Sequence, residues 1–237
     1  MACMPVDDTH CQNCTTVIPK NAQYCPRCGQ SVIDIRQPWL PLAQKMLGEV
    51  FDWDGRMITT LRNLILHPGR LTREFILGHR KRYTSPIRLY LVISVLFFYI
   101  FPLIIPESPT DTSASPAELA TESYSRMMFV LLPVFALIVK LFYRGRYYLQ
   151  HLVFSMHVFS AMFLVFAVML SLESLADESN VWAGVQITVF AYMVGYCLTA
   201  LKVAYDQTWI VSGLKLAGLV ALFLPTLAAA MQLASRF

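Results

Sequence analysis

The chain has 237 residues, of which 56% are hydrophobic and only 14% are charged, and its mean hydropathy is +0.52. Soluble globular domains carry about 25% charged residues, so this composition excludes an ordinary soluble domain and indicates an integral membrane protein. The formal net charge is +4, and twelve of the nineteen lysines and arginines precede residue 90. This asymmetry predicts a basic segment beside the membrane.

Two Cys-x2-Cys pairs, separated by ten residues, open the chain. Residues 1–20 lack the apolar core of a signal peptide, so the cysteines are expected in a reducing compartment as metal ligands rather than as disulfides. A two-residue gap lets both sulfurs of a pair reach one ion, and zinc prefers four such ligands in a tetrahedron. The spacing therefore predicts a zinc ribbon over residues 1–33. Its predicted ligands are Cys11, Cys14, Cys25 and Cys28.

The surroundings of these pairs indicate a structural site. Gly29 follows the last cysteine, where a positive φ would let the chain leave the turn. Four thiolates leave zinc no open coordination position, which favours a role in folding over catalysis. Cys3 and His10 are not needed as further ligands. A redox-active pair would require a thioredoxin-like βαβ context, which this sequence does not have.

Residues 34–85 show helical periodicity between the ribbon and the membrane domain. Apolar side chains recur at helical spacing from Pro38 to Phe51 and again from Met57 to Ile65, with polar and charged residues on the other faces. The pattern predicts amphipathic juxtamembrane helices.

The sequence also predicts where the second of these helices begins and ends. Asp52 and Asp54 offer N-cap chemistry for the second helix, and His67-Pro68-Gly69 breaks it before a third short helix over about residues 69–78. Arginine-rich amphipathic helices lie in the membrane interface or pack together as a cytosolic bundle, and both alternatives remain open. In either arrangement the segment is expected to couple the ribbon to the membrane domain.

Residues 86–237 contain apolar runs of about 20 residues, the length that crosses the hydrocarbon core. The sequence therefore predicts an all-α polytopic membrane protein with about five transmembrane helices. The predicted spans cover residues 86–105, 126–143, 151–171, 182–203 and 212–233.

Charge asymmetry between the loops predicts the orientation. Loops 106–125 and 172–181 are acidic and contain no lysine or arginine, whereas the opposite loops are basic. The positive-inside rule then places the N-terminus and the ribbon in the cytoplasm and the C-terminus in the periplasm. The basic cluster beside the first span is expected to contact anionic lipid headgroups, and it lies too close to that span to favour nucleic acid. Its residues are Arg80, Lys81, Arg82 and Arg88.

Five sequence blocks are distinctive. They read Phe51-Asp52-Trp53-Asp54-Gly55-Arg56, His67-Pro68-Gly69-Arg70-Leu71-Thr72-Arg73-Glu74-Phe75, Gly78-His79-Arg80-Lys81-Arg82-Tyr83, Pro86-Ile87-Arg88-Leu89-Tyr90-Leu91 and His151-Leu152-Val153-Phe154-Ser155-Met156-His157. With them the chain resembles a family of uncharacterised bacterial inner-membrane proteins with an N-terminal zinc ribbon. The resemblance implies an integral protein of the bacterial inner (plasma) membrane with a cytosolic ribbon, and it implies no activity.

Two histidines fall in the third predicted span, where polar groups are costly and are therefore candidates for function. His151 and His157 are six residues apart, about 240° around a helix, so they do not share a face and make a poor joint metal site. His157 fits either a proton relay or an interhelical hydrogen bond. Cys197 is expected to be a small buried apolar residue.

Three functional hypotheses follow. The first is a non-enzymatic adaptor or regulator, with a cytosolic surface for a protein partner and a bundle that anchors it in the bilayer. The alternative is a small oligomeric transporter, channel or lipid-handling protein. A membrane enzyme acting on phospholipid headgroups is disfavoured, because the sequence contains no catalytic motif such as HExxH, GxSxG or a Walker loop. We therefore predict no catalytic residue.

Overall fold

The computed structural model describes residues 9–19, 22–30, 32, 55–104, 116–173 and 180–234. Within these ranges the protein forms helices and no β-strand, which confirms the all-helical prediction for this part of the chain. The helices are α1 (Arg56–Leu66), α2 (Arg70–Ile76), α3 (Pro86–Ile104), α4 (Pro116–Phe142), α5 (Tyr148–Glu173), α6 (Asn180–Tyr205) and α7 (Trp209–Ala234). The first predicted juxtamembrane helix lies outside the described residues.

Three helices of the described chain are long and apolar enough to cross a membrane, not the predicted five. Their apolar stretches are Tyr148–Met169, Trp182–Tyr205 and Trp209–Gln232, at the third, fourth and fifth predicted spans. In α3 and α4 the described side chains form shorter apolar stretches, Pro86–Phe98 and Met127–Phe142, within helices of 19 and 27 residues.

Helix α5 is the centre of the bundle and packs against α1, α2, α3, α4 and α6. It carries apolar side chains all round, as a helix does when it is surrounded by others. Phe163 of α5 stacks on Phe97 of α3 at 5.0 Å, and Phe159 meets Phe135 of α4 at 5.4 Å and Phe223 of α7 at 6.1 Å. This aromatic core holds the long helices around α5.

Helices α1 and α2 form a hairpin that breaks where the sequence predicts, at His67-Pro68-Gly69. Gly55 occupies the N-cap position of α1 and offers no side-chain cap, and the predicted capping residues Asp52 and Asp54 lie outside the described residues. At the other end, α6 supplies the cap. The hydroxyl of Tyr196 donates to the Leu64 carbonyl at 2.9 Å, and that of Tyr192 donates to the Ile65 carbonyl at 3.2 Å. These carbonyls belong to the last turn of α1, where no intrahelical partner exists.

The hairpin packs on the membrane helices as well as on itself. Its tip reaches α6 at Ala200, and its carbonyls reach Tyr192. Measured along α6 from Tyr205, these positions lie about 8 and 20 Å into the helix. Of the two open alternatives, the described hairpin matches neither alone: it packs against α5 and α6 of the bundle.

Gly69 is expected to be essential for this docking. Its φ is 78°, and a Cβ there would overlap the backbone of Ala200. Gly69→Ala should therefore lower the free energy of unfolding by more than the roughly 1–2 kcal/mol cost of the left-handed backbone alone. Thermal unfolding of the full-length protein in detergent measures this change.

Gly55→Ala is the matched control for that prediction. Gly55 has a φ of −59°, and no atom lies within 4 Å of its added Cβ. Its stability should stay within about 0.5 kcal/mol of the unmutated protein. Equal stability of the two variants would contradict the role assigned to Gly69.

Candidate metal centre and buried polar side chains

The cysteine-containing head, residues 9–32, is built from two copies of one backbone turn offset by fourteen residues. In the first copy the Cys11 N–H donates to the Thr16 carbonyl at 2.8 Å, and the Thr15 N–H donates to the Cys11 carbonyl at 2.8 Å. In the second copy the Cys25 N–H donates to the Gln30 carbonyl at 2.8 Å, and the Gly29 N–H donates to the Cys25 carbonyl at 2.9 Å. Each turn folds both sulfurs of a Cys-x2-Cys pair to the same side.

In both turns the residue that follows the second cysteine has a left-handed backbone conformation. Gly29 has a φ of 66°, as the sequence predicts, and Thr15 has a φ of 58° at the equivalent position of the first turn. A β-branched residue rarely adopts this backbone, so Thr15 holds strain that Gly29 does not. Sequence reasoning missed Thr15, and the fourteen-residue offset was the signal that could have found it.

The four cysteine sulfurs converge on one point. The Sγ atoms of Cys11 and Cys28 are 3.6 Å apart, and those of Cys14 and Cys25 are 3.5 Å apart. All four sulfurs lie within 4.8 Å of one another. A tetrahedral ion with metal–sulfur bonds of about 2.3 Å places its sulfurs roughly 3.8 Å apart. The four thiols are therefore close enough to hold one metal ion.

His10, which the sequence analysis set aside as a further ligand, is not part of this cluster. It directs Nδ1 to the Thr9 hydroxyl at 2.8 Å, and Cys3 lies outside the described residues. Cys11 and Cys25 are buried, with 3% and 2% of their surface exposed, so the metal position is shielded from water on one side.

Local hydrogen bonds and burial act differently on the thiols. The Thr16 side chain, 3.4 Å from the Cys14 sulfur, lowers the pKa of Cys14 to about 6. The backbone N–H of Cys28 lowers the pKa of Cys25, whereas burial raises the pKa of Cys11 to about 11. Metal binding must displace the proton of Cys11, so the metal affinity should fall as the pH falls.

Cys28→Ser should abolish metal binding. A serine hydroxyl is a poor substitute for a thiolate, and three remaining sulfurs do not close a tetrahedral site. Metal analysis of the purified full-length protein should fall from about one ion per chain to near zero. The control is Cys197→Ser, a cysteine in α6 far from the cluster in sequence, which should keep its metal. A metal-free unmutated protein would contradict the assignment.

The head is fixed to the membrane body by Gln30. This buried side chain donates from Nε2 to the Gly78 carbonyl at 2.7 Å, and its Oε1 accepts from the N–H groups of Arg80 and Lys81 at 3.2 and 3.3 Å. The side chain of Gln12 packs against Gly78 from the other turn. Sequence reasoning gave Gln30 no role, because its partners lie about fifty residues away.

The basic cluster is divided between surface and core. Lys81 and Arg82 are exposed, and Arg80 lies over the Phe75 ring at 5.1 Å. Arg88 is only 6% exposed, so the structure does not bring it to the surface with the others.

The two histidines of α5 make separate interhelical hydrogen bonds. His157 Nδ1 is 2.9 Å from the Thr72 hydroxyl of α2, and His151 Nδ1 is 2.8 Å from the Tyr205 hydroxyl of α6. Both histidines are buried. The different partners agree with the prediction that the two histidines do not share a face of α5. For His157 the structure shows the predicted interhelical hydrogen bond.

Thr72→Val should weaken the docking of the hairpin. Valine keeps the shape of threonine but leaves the buried His157 Nδ1 without its partner, at a cost of about 1–3 kcal/mol. Denaturation in detergent measures the loss. Thr59→Val is the control on an exposed face of α1 and should change stability by less than about 0.5 kcal/mol. Similar values for both variants would show that this hydrogen bond does not stabilise the fold.

Comparison with known proteins gives one match, over part of the chain. Residues 54–98 match the model of a family described as "Protein of unknown function (DUF3667)". The matched segment contains α1, α2 and the first part of α3, including Leu64, Gly69 and Thr72, and the four cysteines precede it. No curated protein and no solved structure matches the chain. The similarity to an uncharacterised family thus rests on the docked hairpin.

Proposed function

We propose that the protein is a non-enzymatic adaptor or regulator of the bacterial inner membrane, in which a zinc-bound head presents a cytosolic surface to a protein partner. One observation carries this proposal: a head whose four sulfurs converge is held on the membrane body by the three hydrogen bonds of Gln30. A head held in this way has a fixed position relative to the membrane, which an adaptor needs.

Zinc is the metal that this donor set favours. Four thiolates at tetrahedral spacing are typical of structural zinc, and no coordination position is left for a substrate. The head is too small to bury a core of its own, so metal binding supplies folding energy. This chemistry supports a binding role rather than catalysis.

The basic end of the bundle supports a cytoplasmic head. Arg144 and Arg146 precede α5, and Lys202 and Lys215 lie where α6 ends and α7 begins. We place the head at this same end, because its thiols need a reducing compartment. Under the positive-inside rule this end faces the cytoplasm, where thiols stay reduced, and α7 then runs towards the periplasm.

The surface of the head and its surroundings offers two contact regions. Val17, Tyr24 and Val32 are 63%, 60% and 44% exposed, and apolar side chains in so small a unit suit contact with a protein partner. Lys81 and Arg82 are exposed beside α3 and suit anionic lipid headgroups, with Arg80 next to them.

Partner capture should depend on the zinc-bound head. The full-length protein is purified from its own membranes by affinity, in parallel with Cys25→Ser/Cys28→Ser and Gln30→Ala, and co-purified proteins are quantified. We expect the double variant to lose both zinc and partners. Gln30→Ala should keep zinc, but its head should be cut faster by protease because three hydrogen bonds to the body are lost.

Two controls make this experiment decisive. Gln23→Ala changes an exposed glutamine of the head and should keep zinc, partners and protease resistance. Cys197→Ser changes a cysteine of α6 and should leave zinc and partner capture intact. Partners that stay bound after zinc is lost would overturn the adaptor proposal.

A further inference from the structure

The hairpin of α1 and α2 has a second face, which is exposed. In α1 its aliphatic and charged side chains lie within about 100° of one another around the helix axis. They are Ile58, Arg62, Ile65 and Leu66. The exposed fractions of the three aliphatic side chains are 76%, 42% and 59% in that order, whereas Thr60 and Leu64 on the other side of α1 are buried. One side of α1 therefore packs in the protein, and the other carries apolar groups that no described residue covers.

Helix α2 continues this exposed face. Arg70 and Arg73 are exposed, and Leu77, directly after the helix, is 55% exposed. The only carboxylate in α1 and α2 is that of Glu74, whose Oε2 lies 2.7 Å from His79 Nδ1. We call the exposed aliphatic and arginine side chains of both helices, with Leu77, the outer face.

The three arginines of the outer face have no counter-charge on the protein. The side chains of Arg62, Arg70 and Arg73 form no ion pair or hydrogen bond with the residues that the structure describes. The outer face thus combines uncovered aliphatic side chains with three unbalanced positive charges.

One end of α1 lies beside a helix that is long and apolar enough to span the membrane. The Tyr192 hydroxyl donates to the Ile65 carbonyl at 3.2 Å, and Tyr192 belongs to the apolar stretch Trp182–Tyr205 of α6. Tyr192 is 41% exposed, and Ile187 and Phe190 of the same helix are 70% and 68% exposed. In a bilayer these side chains contact acyl chains, so this end of α1 lies next to hydrocarbon.

The other end of α1 lies beside the basic cluster. Arg56 donates from Nη1 to the Lys81 carbonyl at 2.8 Å, and the side chains of Lys81 and Arg82 are exposed. Helix α1 has 11 residues and is about 16 Å long. It therefore connects the exposed side of α6 with the basic residues expected at the lipid headgroups.

We propose that the outer face of the hairpin binds the surface of an anionic phospholipid bilayer. The aliphatic side chains enter the boundary of the acyl chains, and the guanidinium groups of the arginines contact lipid phosphates. Arginine suits this boundary because its methylene groups lie along apolar surface while its charge extends to the headgroups. The proposal goes beyond the adaptor role and does not depend on it.

Simpler environments account for only part of the outer face. Water alone suits the arginines but leaves the aliphatic side chains uncovered beside them. Acyl chains alone suit the aliphatic side chains but leave three charges in hydrocarbon, which is costly. A protein partner would need carboxylates opposite the arginines. The headgroup boundary of an anionic bilayer satisfies both kinds of side chain.

The first test measures lipid selectivity in delipidated full-length protein in a neutral detergent. Phosphatidylglycerol and phosphatidylcholine are titrated separately, and binding is followed by native mass spectrometry. Arg62→Gln and Arg73→Gln should each weaken the binding of phosphatidylglycerol about fivefold, the effect of one basic residue at an anionic surface. The double variant should weaken it about twentyfold. Binding of phosphatidylcholine should change less than about twofold in all variants.

Arg27→Gln is the matched control, because it removes one exposed positive charge from the head instead of the hairpin. It should change the affinity for phosphatidylglycerol less than about twofold. The melting temperatures of all variants without lipid should stay equal, since the substituted side chains are exposed. Equal weakening by Arg27→Gln and Arg62→Gln would show attraction by net charge alone and overturn the proposal. Unchanged binding by the double variant would also overturn it.

The second test identifies what covers the aliphatic side chains in intact membranes. The photo-crosslinking residue p-benzoylphenylalanine replaces Ile58 or Leu66, and the irradiated full-length protein is analysed by mass spectrometry. We expect an adduct with the mass of a phospholipid at both positions. The same probe at Gln23, an exposed residue of the head, should give no lipid adduct. An adduct with a protein in place of lipid, or no adduct at either position, would overturn the proposal.

Discussion

The docking of the α1–α2 hairpin between α5 and α6 is the constraint on which the other features depend. Tyr196 and Tyr192 cap the last turn of α1, and His157 meets Thr72 of α2. These bonds fix the loop after α2, whose backbone receives Gln30 from the head. The position of the metal centre relative to the helices is thus set by the hydrogen bonds that dock the hairpin and by those of Gln30.

The polar side chains of the helices fall into two classes, those with a hydrogen-bond partner and those without one among the described residues. Each histidine of α5 has a partner on another helix, whereas the hydroxyls of Thr188 and Thr199 in α6 bond to carbonyls of their own helix, at Gly184 and Gly195. At the basic end the buried Tyr143 hydroxyl has no described hydrogen-bond partner. The paired groups stabilise the packing of the helices, and the unpaired hydroxyl does not.

Local features of the fold could be predicted from the sequence, and distant pairings could not. The Cys-x2-Cys spacing and the break at His67-Pro68-Gly69 depend on a few neighbouring residues, and the positive φ of Gly29 follows from the turn itself. The partner of His157 is 85 residues away in sequence, and the spacing of apolar residues along one helix cannot predict a contact at that distance. Three of the five predicted spans are found among the described residues, and the apolar stretches around Leu89 and Leu132 that the described side chains form are shorter than a span.

The order of the chain has a consequence for biosynthesis. The hairpin ends at Ile76, whereas the helix that caps it ends at Tyr205, so the ribosome makes the hairpin first. At about 5–20 residues per second the delay before α6 is complete is on the order of ten seconds. During that interval Leu64 and Leu71, later buried, can contact only the helices already made, and the completion of α6 supplies the tyrosines that cap α1.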